Sequence, residues 1–400
     1  MPINARQAAC LLSLAAAFST AAHAQFLTNI APVGGGLARD WNNTSFNGAN
    51  PVVNNLGQVA GTWANSLGVA QAFIYDAGST TGPMALGSTG YATGINDAGQ
   101  ITVVRGVGPY FTTQVFDTSG QLIGTVGANN VTTIAWGIND QSVTTGRTVQ
   151  PTAMPSGATV EITVPFSAAT NGQINKLNVG SIYGGIGNAL NNTGNIVGGS
   201  FQSEDANNIH AFYYASATGT TTDLAATIQN ALAPGVIVHG SIAFGINDQD
   251  QITGAFHTST GAEHAFLYSS ANDIMDITAN VVGNSVGYDI DEAGDVVGTA
   301  NIHGSNGKPQ FAFLYTKSGG LINLNQYAQD HNLLAPGEAL LNAVSISSNG
   351  QYIAGIADIN GKSVNYVMSM VPEPGTGVLL SCALGILGLA RMRSKRRTGA

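Results

Sequence analysis

The chain has 400 residues, 44% hydrophobic and only 9% charged, with 52 glycines and a formal charge of −9. That hydrophobic fraction builds a core and excludes a disordered chain. Six of the 13 basic residues sit in the two end segments, so no basic face is left for nucleic acid, and that class of partner is excluded. Both cysteines, Cys10 and Cys382, also lie at the ends, and the part between has no disulfide framework.

The first 26 residues read MPINARQAACLLSLAAAFSTAAHAQF. Arg6, an apolar run from Ala8 to Phe18 and the small pair Ala22 and Ala24 form a secretory signal. Residues 1–24 are therefore expected to be removed by the Sec signal peptidase between Ala24 and Gln25.

From there a turn-bearing phrase recurs seven times: VVNNLGQVAG (52–61), GINDAGQITV (94–103), GINDQSVTTG (137–146), ALNNTGNIVG (189–198), GINDQDQITG (245–254), DIDEAGDVVG (289–298) and SISSNGQYIAG (345–355). A strand-like phrase follows each one, as in QAFIYD (71–76), HAFYYA (210–215), HAFLYS (264–269) and FAFLYT (311–316). A looser third phrase usually comes next. The unit is strand, tight turn, strand, strand, strand, and its 42–56-residue period is that of blade-type repeats. Gln25 to Met370 are thus expected to form an all-β, seven-bladed β-propeller. Its last copy lacks room for a fourth strand, and FLTNIAPVG (26–34) is spare at the start. Residues 26–33 are expected to complete blade seven and close the ring. In blade three, Pro165 is expected to interrupt a strand.

The His-Ala-Phe at His210–Phe212 and His264–Phe266 carries a resemblance to the HAF-repeat family of extracellular proteins. The resemblance covers nearly the whole chain between the ends and implies architecture and location rather than an activity.

Blades four and six carry the inserts LAATIQNALAPG (224–235) and LNQYAQDHNLLAPG (324–337). Their apolar spacing predicts two short helices, each stopped by Ala-Pro-Gly.

Within the turns, position four is glycine in five of seven copies, as a left-handed residue after a type I turn requires. Three of the seven turns hold no carboxylate, so a bend explains the motif better than a repeated metal loop. DIDEAGD is the exception. Asp289, Asp291, Glu292 and Asp295 partly mimic a calcium loop, although Ala293 and Ala300 stand where such a loop needs oxygens. These four residues are the candidate calcium ligands, and no other cofactor is expected.

His210 and His264 start equivalent strands and read as structural repeats, with no zinc motif beside them. Gly283-Asn284-Ser285-Val286-Gly287 matches G-x-S-x-G in letters but precedes a turn rather than a helix.

The C-terminus reads Val371-Pro372-Glu373-Pro374, then GTGVLLSCALGILGLA, then Arg391, Arg393, Lys395, Arg396 and Arg397. The order resembles the PEP-CTERM sorting signal of Gram-negative bacteria. The resemblance implies a transmembrane helix within residues 371–400, the basic cluster on the cytoplasmic side, and processing by an exosortase-type membrane peptidase. It also implies a producer of exopolysaccharide.

These readings give an exported, non-catalytic surface or matrix protein whose loops bind a glycan or a protein. The alternative is an extracellular hydrolase or lyase acting on a polysaccharide or other polymer. Three or more ionisable groups from different blades around one pocket would favour the enzyme. A channel lined by Gly, Ser, Thr and Asn would favour the scaffold.

Overall fold

The computed structural model describes residues 27–32, 50–64, 69–107, 110–127, 131–154, 157–203, 208–232, 236–270, 273–281, 283–302 and 309–370. The expected signal segment, with Ala24 and Gln25, lies outside the described residues. So does the expected tail, with Val371, Pro372, Glu373, Pro374, its helix and its basic cluster. Among the described residues no helix is long and apolar enough to cross a membrane.

Each turn phrase joins the first two strands of a four-stranded antiparallel sheet, and there are seven such sheets. Six run in simple sequence order from the axis outward. The seventh runs outward through Ala339–Ile346, Tyr352–Ile359 and Lys362–Ser369, with the first strand of the chain, Leu27–Pro32, on its outer edge. Leu27 pairs with Met368 and Asn29 with Tyr366, so the ring is closed as expected and that edge is covered. The innermost strands are Val52–Val53, Tyr91–Ile95, Thr133–Ile138, Gly185–Leu190, Val238–Ile246, Ser285–Ile290 and Ala339–Ile346. They stand around one axial cavity.

The expected turn geometry is present in all seven copies. Asn54 O accepts from Gly57 N at 3.0 Å, and the fourth residue is left-handed throughout, including the two non-glycines Ser142 (φ 61°) and Asp250 (φ 59°). The first residue caps the turn from its side chain: Asn191 Oδ1 accepts from Thr193 N and Asn195 N.

The last glycine of the turn phrase and the Phe of the HAF phrase form a single contact. Gly254 pairs with Phe266, Gly198 with Phe212 and Gly298 with Phe313, and each ring lies over its glycine. On the other side the innermost strand bulges toward the glycine. A Cβ at Gly254 would lie 2.0 Å from Ile242 O, and at Gly198 1.9 Å from Ile186 O. Only a hydrogen side chain fits between that carbonyl and the ring. In blade two the place is taken by Val103, fully buried and paired with Ala92.

Apolar faces of neighbouring blades pack together. Val197 and Ala211 of blade four meet Ala243, Phe256 and Phe266 of blade five, all fully buried. The helix Ala225–Ala231 (α1) adds Ile228 to that cluster, following Leu224. Helix Leu324–Asp330 (α2) is capped by Asn323, whose side chain accepts from Asn325 N and Gln326 N. Both inserts are therefore helical as expected.

Pro165 corrects the sequence reading. The strand Thr159–Ala169 passes through it without a break, and Pro165 pairs with Arg147. Pro165 O accepts from Leu177 N, so its missing N–H also faces the two-residue outer strand Asn175–Lys176 rather than the long inner partner.

Candidate functional site

The best-formed cavity lies on the propeller axis, at the face of the turn phrases, with a volume of about 190 Å³. Its rim is built by the second residue of each turn. These are Asn55, Asp97, Asp140, Asn192, Asp248, Glu292 and Ser348, and they form a continuous hydrogen-bonded belt. Asn55 N donates to Asp97 Oδ1 (2.8 Å), Asp97 N to Asp140 Oδ1 (2.8 Å), and Asp140 N to Asn192 Oδ1 (2.9 Å). Asn192 N donates to Asp248 Oδ1 (2.7 Å), and Asp248 N to Glu292 Oε1 (3.0 Å). Glu292 N donates to Ser348 O (3.0 Å), and Asn349 N returns to Asn55 Oδ1 (2.7 Å).

A second belt lies beneath. Asn54 Nδ2 donates to Asn96 O, Asn96 Nδ2 to Asn139 O, and Asn139 Nδ2 to Asn191 O, all at 2.9 Å. Asn191 continues to Asn247 O (3.0 Å) and Asn247 to Asp291 O (2.8 Å). The run stops at Asp291, which has no amide to pass on. The repeated Asn therefore does two jobs, capping its own turn and tying it to the next blade.

The floor comes from the bulges. Register shifts in six innermost strands single out Thr93, Trp136, Asn188, Phe244, Tyr288 and Val344 as the extra residues. Five of these line the axial cavity, and Thr93 borders a smaller one with Trp136, Tyr288 and Val344. The rings of Phe244 and Tyr288 lie 5.7 Å apart and tilted by 56°. The axial site is thus a polar, acid-bearing rim over a largely aromatic base.

Four rim carboxylates, Asp97, Asp140, Asp248 and Glu292, come from blades two, three, five and six. The number that would favour an enzyme is reached. Their arrangement is nevertheless that of a latch, because each holds a main-chain N–H of the preceding blade. The lining among the described residues contains no His, Lys or Arg to serve as a partner acid or base.

The calcium candidates are divided by the fold. Glu292 and Asp289 both line the axial cavity, whereas Asp291 Oδ1 accepts from Ala293 N (2.9 Å) and Asp295 N (2.8 Å). Asp289 accepts from Ile290 N through Oδ1 and from Ile346 N through Oδ2. Ala293 and Ala300 supply no oxygen side chain, so the donor set does not fit a calcium loop. Among the described residues no three His, Cys, Asp or Glu side chains form a metal-holding group. Burial pushes the Asp291 carboxyl up to about 6, with the charges of Asp295 and Asp289 adding to the rise and the two N–H bonds opposing it. Burial also raises Asp295.

Ser285 of the G-x-S-x-G stretch is fully buried in a strand, and its Oγ donates to Thr278 Oγ1 at 2.6 Å. It is a core hydroxyl, not a nucleophile on an elbow. His210 Nδ1 bonds Asp223 Oδ2 (2.8 Å), and His264 Nδ1 bonds Asp276 Oδ2 (2.7 Å), each clamping a third strand to an outer strand. Asp223 and Asp276 lie in the loose third phrase, so the sequence showed the histidines without their partners. The belts and the bulge ring were likewise missed. The Asn that opens five of the seven turns was the available signal for the inner belt, while the bulged residues share no letter.

No family model matches the chain, and no curated protein matches it. Solved structures do. An acylaminoacyl peptidase from Pyrococcus horikoshii superposes at a TM-score of 0.52 with 12% identity, covering 83% of this chain and 53% of that one. An oligogalacturonate lyase from Vibrio parahaemolyticus gives 0.48 at 10% identity, over 87% and 97%. The BP39L lectin from Burkholderia pseudomallei gives 0.46 at 10% identity, over 82% and 98%. The chain spans about half the length of the peptidase it matches. At such identity the likeness to the peptidase is one of fold alone, and among its described residues this chain is an all-β, seven-bladed propeller with two short helices.

Proposed function

We propose that the protein is exported and acts without catalysis at the cell surface or in the extracellular matrix, binding a glycan or protein partner at the axial basin. The observation that carries this reading is the state of the rim acids. Each is committed to a backbone N–H of the neighbouring blade, and among the described residues none faces a His, Lys or Arg across the basin. A rigid polar rim above an aromatic base suits recognition, where fixed acceptors orient a ligand and apolar surface holds it. A general acid or base needs a carboxyl free to exchange its proton with substrate.

Export rests on the two end segments: the Sec signal cut after Ala24, and the resemblance of residues 371–400 to a PEP-CTERM tail handled by an exosortase-type peptidase. The HAF-repeat resemblance agrees with that address. Exopolysaccharide is the first partner to test. Cells producing the protein are fractionated, the mature ends are sequenced, and the purified protein is mixed with matrix fractions. A mature N-terminus at Gln25, loss of the tail and retention on a polysaccharide fraction are expected. The hydrolase or lyase alternative predicts release of new sugar ends from that polymer, abolished by Asp248→Asn; such release would overturn the proposal.

A further inference from the structure

The base of the basin contains a side chain whose chemistry is unfinished. Asn188 is only 2% exposed, and its Nδ2 donates to Ala243 O at 2.8 Å. Its Oδ1 is buried too, and no protein group donates to it. A buried amide oxygen without a donor is costly, and native folds rarely leave one so. Asn188 reaches this place because it is the extra residue of a bulge, in a ring otherwise filled by Thr93, Trp136, Phe244, Tyr288 and Val344. Trp, Phe or Val in its place would have closed the wall without leaving an acceptor.

Above it stand Asp97, Asp140, Asp248 and Glu292, with no cationic side chain in the lining among the described residues. A concave site walled by protein focuses such a field and draws in positive charge. Below are the rings of Trp136, Phe244 and Tyr288, whose faces attract a cation through their quadrupoles. A volume of about 190 Å³ equals roughly six water molecules, too small for a folded segment but enough for a cationic head with a short stem. A metal ion fits less well, since the described residues hold no converging metal set and the rim oxygens are spread around a belt.

We infer that the axial basin binds an ammonium-bearing group, which enters through the acidic belt, donates to Asn188 Oδ1 and rests on the aromatic base. This rests on the reading of the protein as a binding scaffold and names the chemistry its site selects. An amino sugar and a lysine side chain share that chemistry.

The test is calorimetric titration of the purified protein, at low and at physiological salt, with n-butylammonium, glucosamine, 1-butanol, N-acetylglucosamine and calcium chloride. Both amines are expected to bind at least about tenfold more tightly than their neutral counterparts, and more weakly as salt rises. Tighter binding of glucosamine assigns the site to an amino sugar, and tighter binding of butylammonium to a lysine-like chain. The double variant Asp140→Asn/Glu292→Gln keeps the oxygens that accept from Asp97 N and Asp248 N, and gives up the bond from Asn192 Nδ2 to Asp140 Oδ2, while Asn192 Nδ2 retains its second acceptor, Asp248 Oδ2. It is expected to keep its melting temperature and bind amines about tenfold more weakly. Asn188→Leu, close in volume, is expected to lose the preference of amine over alcohol. Equal affinity for charged and neutral probes, indifference to the double variant, or saturable calcium binding without amine binding would overturn the inference. If the amines fail while a matrix polymer is still retained, only the ligand chemistry falls. If the polymer is degraded, the scaffold reading falls instead.

Discussion

Gly254→Ala tests whether the bulge and the HAF aromatic dictate glycine in the second strand. The added Cβ would lie 2.0 Å from Ile242 O, 2.9 Å from Ala243 Cα and 2.9 Å from Phe266 Cε1. A carbon and a carbonyl oxygen settle at about 3.3–3.6 Å, so the carbonyl must retreat by more than ~1 Å. That backbone carries Ala243 O, the acceptor for Asn188, and it is packed from the other side by blade four. The retreat is therefore expected to cost about 3 kcal/mol, the upper range for overpacking a core, and to outweigh the ~0.5–1 kcal/mol that alanine gains by restricting the unfolded chain. Gly82→Ala is the control, since a Cβ there meets nothing within 4 Å. It should change stability by less than about 0.5 kcal/mol. Urea unfolding followed by tryptophan fluorescence reads both midpoints. If the two variants unfold together, the inner strand yields around alanine as it does around Val103, and the clash argument is wrong.

Asp291 gives a pH prediction. Its folded carboxyl titrates near 6, above the ordinary carboxylate value of 3.8, because burial disfavours the charge. Its contribution is then fully present below about pH 4 and is lost as pH rises through 6, so the protein should melt higher at pH 5 than at pH 7.5. Asp291→Asn should remove that difference and stabilise the protein at pH 7.5, because an amide restores a donor to the inner belt; unchanged pH dependence in the variant would refute the assignment. Asn247→Ala loses acceptance from Gln249 N and Gln251 N and donation to Asp291 O, and should cost about 3 kcal/mol in urea unfolding. A loss below about 1 kcal/mol would show that the belt is incidental. Removing residues 27–32 uncovers the strand Lys362–Ser369. Size-exclusion chromatography should then show self-association through that edge, and a monomer as stable as the parent would refute the role of closure.

The sequence shows most clearly what every blade must repeat. Seven turn phrases announced seven sheets, the spare FLTNIAP announced the closing strand, and the apolar spacing of the two inserts marked both helices, because each is a local requirement met by particular letters; the second helix ends at Asp330, before its Ala-Pro-Gly. Pro165 misled because a strand was judged without its neighbours: a missing N–H matters only on the side where a partner waits, and there the outer strand has two residues. The basin was hidden for the opposite reason. The bulge residues Thr93, Trp136, Asn188, Phe244, Tyr288 and Val344 have nothing in common except their position, and position in a bulge is not written in residue type. The rim acids were visible as letters, but their contacts are 42 to 56 residues apart and depend on blades standing side by side.

The bulge ring separates two demands that usually conflict. Glycine, HAF aromatic, turn cap and belt are fixed by the need to build and seal a blade. The side chain at the bulge belongs to neither cap nor belt, and five of the six line the axial cavity, although Asn188 also ties to Ala243 O and Thr93 to Thr102. The interior of the ring can therefore diversify at these places, wherever the packing around them and the bonds of Asn188 and Thr93 are made good, on an unchanging frame of turns, glycines and belts.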